Sequence, residues 1–519
     1  MNAADAVLAA SIQDYGNSTA LICGDDALTY LELFDMVNRF GNGLRSHNVE
    51  RENRVLLMLK DSPDLVAAYL GTMKIGAVAV ALNAHCAAAD LLFAINDTCC
   101  KLLIIDQEYL PMYQGISGQL VNPPYIVVAG SPASGFPTLG IFTATQSPVL
   151  ASTPMSPDDM AFWVYTSGAT GPPKAAVHSQ HDVLLSDRYL REAFLVGPGD
   201  RLFCTSKLFF AYALCTCLFG VLRCGATMLL LDGPAEPAAI IDVVERLRPR
   251  IVFGIPTVYR DILGGSGDEE AGAFPVSPAG EGLRSVEYYV ASGERLPLSL
   301  SHAWTEWTGR PVYETFGTSE TLCMIFANSP AAQRAGSSGK LAPGIRAKLL
   351  DEDGHVVETP GVAGELWVGA LSLCDRYWNQ QERSRRAFEG FWFRTGDLFC
   401  KDEDGFWYHR GRTDDALKIA GHWVSPHEIE DAAVALPGVA EAAVVLRHDE
   451  GLAQLSLFIT PAVSVTDRIV FGRHLREHLA LKLGPQKCPR EICFVDQVPR
   501  TASGKIQRYR LRDRASEIA

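Results

Sequence analysis

Two lysine-bearing motifs offer chemistry directly: SGATGPPK, ending at Lys174, and PRTASGK, ending at Lys505. In the first, the apolar run Phe162 to Tyr165 leads into Thr166, Ser167, Gly168, Thr170 and Gly171 before the lysine. Glycines let backbone N–H groups approach an oxygen closely, the hydroxyls add donors, and the ammonium supplies a counter-charge. The natural guest of such a loop is a polyphosphate. A Walker A loop needs GxxxxGK[ST], which is not the pattern here, so a P-loop NTPase is disfavoured. In the second motif, Ser503 and Gly504 leave a long cationic side chain free to approach a phosphate or carboxylate transiently.

These motifs need a scaffold, and the chain is long enough to supply one. At 519 residues it should divide into a large domain and a smaller partner. Hydrophobic residues make up 48% and charged residues 20%, the balance of a globular protein. The net charge of -14, with no basic run, argues against a nucleic-acid partner, so bound phosphates must be held by local geometry. Thirteen cysteines show no paired CxxC spacing that would frame a zinc site. The N-terminus lacks a basic n-region and no apolar run reaches membrane-spanning length, so a cytoplasmic location with free thiols is expected, with no membrane partner.

The texture along the chain is α/β. Apolar runs at Arg54 to Leu59, Ala77 to Leu82, Leu102 to Asp106, Ala226 to Leu231, Arg250 to Pro256 and Val286 to Gly293 each read as a buried strand leading into a loop. Strands of an open sheet deliver loop residues to their carboxyl ends, where ligands bind. Gly264 to Gly282 reads as a surface loop. After Leu341 the pattern changes to alternating polar and apolar residues around DG and TG turns, as in a small antiparallel sheet or barrel. The expected division is a large N-terminal domain over 1–413 and a small α+β domain over 414–519, whose first helix begins in SPHEIEDAAVAL with Ser425 as cap and Glu428 three residues on.

The phosphate-loop run resembles YTSGTTGxPKG of the adenylate-forming superfamily, which includes acyl- and aryl-CoA ligases, luciferases and peptide-synthetase adenylation domains. The resemblance extends over most of the chain. SGERLP, with Ser292, Gly293, Glu294 and Arg295, is similar to the adenine-side motif, and ETFGTSE, from Glu314 and Thr315 through Glu320, to the YGxTE motif. The resemblance implies that Phe316 stacks on adenine, Thr318 or Ser319 meets phosphate, and Glu320 supports Mg²⁺ through the phosphates. An aromatic face suits a purine and a carboxylate suits a hard cation. FRTGDL resembles the TGD motif, so Asp397 is expected on the ribose hydroxyls. GRTDDALKIAGHWV resembles the hinge region, with Arg412 near the nucleotide, Asp414 as pivot, and Lys418 and Gly421 beside the pantetheine path. PRTASGKIQR matches the last motif, whose lysine, here Lys505, enters the active site during the first half-reaction. Two residues depart from the pattern: Ala169 removes a hydroxyl, and Ala175 replaces a glycine.

The implied enzyme takes ATP, Mg²⁺ and an aromatic carboxylic acid, forms an aryl-adenylate and pyrophosphate, and passes the acyl group to CoA. SKLFFAYAL resembles the benzoate–CoA ligase branch, so Phe210, Ala211 and Tyr212 are expected to line the aryl pocket, with Ser292 and Gly317 beside the ring and Cys323 and Met324 along the wall. The stretch has no Asp to pair with an α-ammonium, which disfavours amino-acid activation. Cys323 stands where many benzoate-type enzymes carry histidine. Its smaller side chain points to a substituted benzoate, with ortho-substituted anthranilate and salicylate as candidates. The alternative is a stand-alone adenylating enzyme that loads the phosphopantetheine thiol of an acyl carrier protein. A luciferase-type oxygenase and a silent nucleotide-binding scaffold are weaker readings. Either a monomer or a homodimer fits.

Overall fold

The protein is described by a computed structural model that covers the chain apart from residues 133–134, 167–172, 266–279, 414–416, 420–421, 425, 450–451, 462–464, 466, 484–487, 501–505, 509 and 513–519. A large N-terminal α/β domain is followed by a small C-terminal domain. The apolar runs form strands because β-branched and other apolar residues can be buried on both faces of a parallel sheet. Arg54–Met58, Val78–Ala81, Leu102–Asp106 and Tyr125–Ala129 run parallel in a seven-stranded sheet. Met160–Thr166 joins them in parallel, and Lys174–Ser179 then turns back antiparallel to it, with Thr166 opposite Lys174. The short strand Arg376–Tyr377 closes that edge, with Tyr377 opposite Ala176.

A nine-stranded sheet carries the second group of motifs. Arg201–Cys204, Ile251–Gly254, Tyr288–Ala291 and Val312–Gly317 are parallel neighbours, so SGERLP and the end of ETFGTSE emerge at the same edge. The segment following SKLFF forms one turn of α-helix, Ala211–Ala213, and widens into a π-helical turn, Leu214–Phe219, before Gly220–Cys224. Such widened turns often accompany functional sites.

The part expected to be barrel-like is a five-stranded antiparallel sheet that includes Ile345–Leu350, Gly364–Ala370, Trp392–Lys401 and Trp407–Arg412. Both ends of the expected Gly264 to Gly282 loop are helical. Helix Pro256–Gly265 runs into it and helix Glu281–Ser285 begins before it ends, because the apolar faces of both helices pack on the sheet. In the small domain, Val439–Asp449, Leu452–Pro461 and Glu491–Phe494 form a three-stranded sheet. Ile429, Leu475 and Leu479, from helices Pro426–Val434 and Arg468–Leu483, pack against it. The expected cap at Ser425 lies outside the described residues.

Candidate active site

Lys174 opens its strand at the edge shared with Arg376–Tyr377. Its Nζ donates to Oε1 of Glu320 at 2.9 Å and to the Tyr377 hydroxyl at 2.8 Å, and that hydroxyl donates to the same Glu320 oxygen at 2.7 Å. Glu320 is buried. Burial works to raise its pKa, but the Lys174 ammonium and the Tyr377 hydroxyl outweigh it and hold the carboxyl at about 2. The site therefore keeps a fixed anion against a fixed cation. Across the ladder from Lys174, the buried Thr166 hydroxyl has no hydrogen-bond partner among the described residues. A free hydroxyl beside an ammonium suits a phosphate oxygen, and an ionised carboxylate suits a hard cation such as Mg²⁺. Ser167, Gly168, Ala169, Thr170 and Gly171 lie outside the described residues.

The Phe316 side chain meets His409 in a stacked arrangement, with centroids 5.5 Å apart, and Phe399 edge-on at 4.8 Å. His409 in turn reaches Asp397, with Nε2 3.1 Å from Oδ1, while Arg412 donates to Oδ2 at 3.0 Å. Strand pairing sets this meeting, because Asp397 lies directly opposite Arg412. Gly396 has a φ of +72, and a Cβ there would stand 3.0 Å from the Arg412 guanidinium, so the TGD turn requires glycine. The structure thus gathers Phe316, Asp397 and Arg412 around one place.

Ser292 is buried, its hydroxyl donating to the Thr315 carbonyl at 3.3 Å. Gly293 turns the chain with a φ of +86. Glu294 accepts from Thr257 at 3.2 Å and faces Arg500 at 3.5 Å. Arg295 pairs with Asp431 of the small domain. Glu314 points into the protein. Burial raises its pKa to about 8, and its Oε2 has no hydrogen-bond partner among the described residues. Thr318 caps the turn that presents Ser319 and Glu320 by accepting from the Thr321 N–H at 3.3 Å.

Toward the expected aryl wall, Gly317 pairs with Met324, and a Cβ on Gly317 would stand 3.2 Å from the Cys323 carbonyl. Cys323 Sγ lies 3.3 Å from Cys215 Sγ with both thiols free. A narrow cavity is lined by Tyr189, Cys215, Thr216, Cys323, Met324 and Pro343, among others. Ala211 is buried and Phe210 caps its helix, while the Tyr212 hydroxyl donates to the Val290 carbonyl at 3.4 Å. Asp414, Gly421 and Lys505 lie outside the described residues, and Lys418 is placed only by its strand, opposite Trp423. Arg500, at the start of the terminal motif, lies between Glu294 and Glu441, and an isolated bridge joins Arg500 to Ile506.

A family model for AMP-binding enzymes matches residues 8–378, and the model for the AMP-binding enzyme C-terminal domain matches residues 428–505. The chain belongs to the AMP-binding enzyme family. It is an acid–thiol ligase by that membership and by its relatives, and the likeness to the benzoate–CoA ligase type read from the sequence is borne out. The chain is 44% identical over 515 residues to a 3-hydroxybenzoate–CoA ligase of Aromatoleum sp. (strain CIB), spanning 99% of this chain and 97% of that protein. It is 43% identical to a 3-hydroxybenzoate–CoA/4-hydroxybenzoate–CoA ligase of Thauera aromatica at the same coverage. Among solved structures, the anthranilate CoA ligase AuaEII in complex with anthranoyl-AMP aligns with a TM-score of 0.91 at 30% identity, covering 100% of this chain and 98% of that one. A benzoate CoA ligase from Burkholderia xenovorans LB400 aligns with a TM-score of 0.88 at 29% identity, over 99% of this chain and 100% of that one. Among the described residues of this AMP-binding enzyme, no helix is long and apolar enough to cross a membrane.

The sequence reading missed Tyr377, His409 and His178. Tyr377 stands 57 residues from Glu320 with no periodic relation to it, so only strand pairing reveals the contact. His409 had one legible signal, its place on a strand just after the TGD turn.

Proposed function

We propose that this enzyme is an aryl-CoA ligase that activates a hydroxylated benzoate with ATP and transfers the aroyl group to the CoA thiol, releasing AMP. The reading rests on one observation above the others: Lys174 and Glu320 meet only three residues before Cys323, on the wall of the cavity described above. Charge chemistry and acid recognition are therefore adjacent. A carboxylate is a poor electrophile, so its oxygen attacks the ATP α-phosphorus and pyrophosphate leaves. Lys174 and Lys505 offset the charge that grows on the phosphoryl oxygens, and Thr166, Ser167, Thr170 and the loop glycines hold the phosphates. Mg²⁺, supported by Glu320 through the phosphates, supplies further charge neutralisation when bound. Phe316 takes the adenine, Asp397 the ribose hydroxyls, and Arg412 reinforces Asp397.

After adenylation, residues 414–519 turn about Asp414, withdraw Lys505, and admit the CoA thiol past Lys418 and Gly421. Ion pairs between the domains, Arg295 with Asp431 and Arg500 with Glu294, support a docked arrangement that such a turn would break.

For the acid, a ring hydroxyl at the 3-position is favoured over the ortho-substituted anthranilate or salicylate. Two relatives above 40% identity are named for 3-hydroxybenzoate, one of them for 4-hydroxybenzoate as well, whereas an anthranilate–CoA ligase of Pseudomonas aeruginosa is 31% identical. The carrier-protein alternative has weaker support. The p-hydroxybenzoic acid–AMP ligases of Mycobacterium tuberculosis are 30% identical, and the match spans 65% of their length. The deciding assay offers 3-hydroxybenzoate, benzoate, anthranilate and salicylate with MgATP and follows pyrophosphate release and aryl-CoA formation separately. Release without any aryl-CoA would refute the CoA acceptor, and a preference for anthranilate or salicylate would refute the 3-hydroxyl.

A further inference from the structure

His178 is fully buried, four residues beyond Lys174 on the same strand, and both of its ring nitrogens are engaged. Nδ1 lies 2.7 Å from Oδ2 of Asp182, and Nε2 lies 2.8 Å from the backbone carbonyl of Ser319, the residue that precedes Glu320. Both neighbours are acceptors. The Ser179 N–H also reaches Oδ2 of Asp182, at 3.2 Å, which holds that carboxyl in place. A backbone carbonyl can only accept, so the Nε2 contact with Ser319 is a ring N–H donation. The ring plane is fixed as well, stacked on Phe162 with centroids 4.8 Å apart and planes 9° from parallel.

The consequence concerns the loop that carries Glu320. Residues 318–323 connect two strands of the nine-stranded sheet, whereas Lys174 belongs to the seven-stranded sheet. The Lys174–Glu320 contact is therefore made across two sheets, and a shift of about 1 Å between them would remove it. We propose that His178, held by Asp182, is a positioning residue for adenylation: its ring N–H clamps the Ser319 carbonyl and so sets Glu320 against Lys174 and the phosphates. It touches no substrate. It acts only through the backbone of the neighbouring loop, and the inference rests on the adenylating reading above.

Two variants test it. His178→Phe keeps a flat ring against Phe162 but removes both ring nitrogens, and His178→Gln keeps one donor. The readouts are pyrophosphate release with 3-hydroxybenzoate, thioester formation from supplied aryl-adenylate and CoA, MgATP affinity by calorimetry without the acid, and thermal stability. His178→Phe is expected to slow pyrophosphate release about 100-fold and weaken MgATP binding about tenfold, while changing the thioester step less than about threefold. His178→Gln should recover about tenfold of the lost rate. Equal losses in both half-reactions, or no loss in either, would overturn the inference. If His178→Phe does not fold, His178→Gln decides by the same split: slower adenylation with an intact thioester step supports the clamp, and parallel losses refute it. A wild-type enzyme that releases no pyrophosphate with any aryl acid would instead refute the adenylating reading, so the two failures are distinct.

Discussion

The Lys174 ammonium and the Glu320 carboxylate meet at 2.9 Å, and the Tyr377 hydroxyl bonds to both. The three groups come from two sheets and are separated by 146 and 203 residues of sequence from Lys174. Each satisfies a charge or dipole that burial would otherwise leave exposed to a poor solvent.

Acid titration should expose this pairing. The Glu320 pKa falls from 4.5 to about 2 on folding, so the carboxylate contributes stability that is fully present above about pH 4.5 and is lost as pH falls toward 2. Glu320→Gln should flatten that acid limb in urea unfolding curves measured from pH 6 to pH 2. It should also lower the unfolding midpoint at pH 7, because Lys174 then has no anion.

Glu314 should do the opposite at high pH. Burial raises its folded pKa from 4.5 to about 8, so the protonated form is favoured in the fold and stability that is fully present below about pH 4.5 is lost as pH rises from there through 8. Glu314→Gln keeps the shape without the charge. Its unfolding midpoint should match the wild type at pH 4 and exceed it at pH 9, with the gap opening between; an equal fall for both proteins would show that folding does not raise the Glu314 pKa.

Removing Asp397 should weaken nucleotide binding specifically. Asp397→Ala leaves the His409 ring and Arg412 without their shared acceptor and deletes the expected ribose contact. The KM for ATP should rise about tenfold or more while the KM for the aryl acid stays within about twofold.

The thiol pair offers a handle on the ring substituent. Cys323→Ala removes a polarisable group 3.3 Å from Cys215 and opens space beside Met324. The ratio of kcat/KM for 3-hydroxybenzoate over benzoate should fall about tenfold. An unchanged ratio would place the hydroxyl elsewhere.

Domain alternation makes its own prediction at Arg500, which faces Glu294 of the large domain. Arg500→Ala should slow pyrophosphate release several-fold but spare thioester formation from supplied aryl-adenylate. Lys505→Ala should show the same split more strongly. Parallel losses in either variant would refute the turn about Asp414.

The runs that became strands were legible because burial on both faces demands continuous apolar sequence, as at Leu102–Asp106 and Ile251–Gly254. The strand Met160–Thr166 that leads into the phosphate loop was legible too, from its apolar run. The helical ends around Gly264 to Gly282 were not, because composition there reports turn chemistry while packing against the sheet extends the helices into it.

The sequence by itself determined the alternation of strands and helices, the order of the motifs, and which residue types stand ready for phosphate, purine and cation. Those are properties of short segments, fixed by local conformational preference and hydrophobic pattern. Only the tertiary structure decided that Tyr377 joins Lys174 and Glu320, that His409 stands between Phe316 and Asp397, and that His178 holds Ser319 from a different sheet. Those contacts depend on strand register and sheet-to-sheet packing, which are set by burial summed over the whole domain and leave no trace in the spacing of the residues that meet.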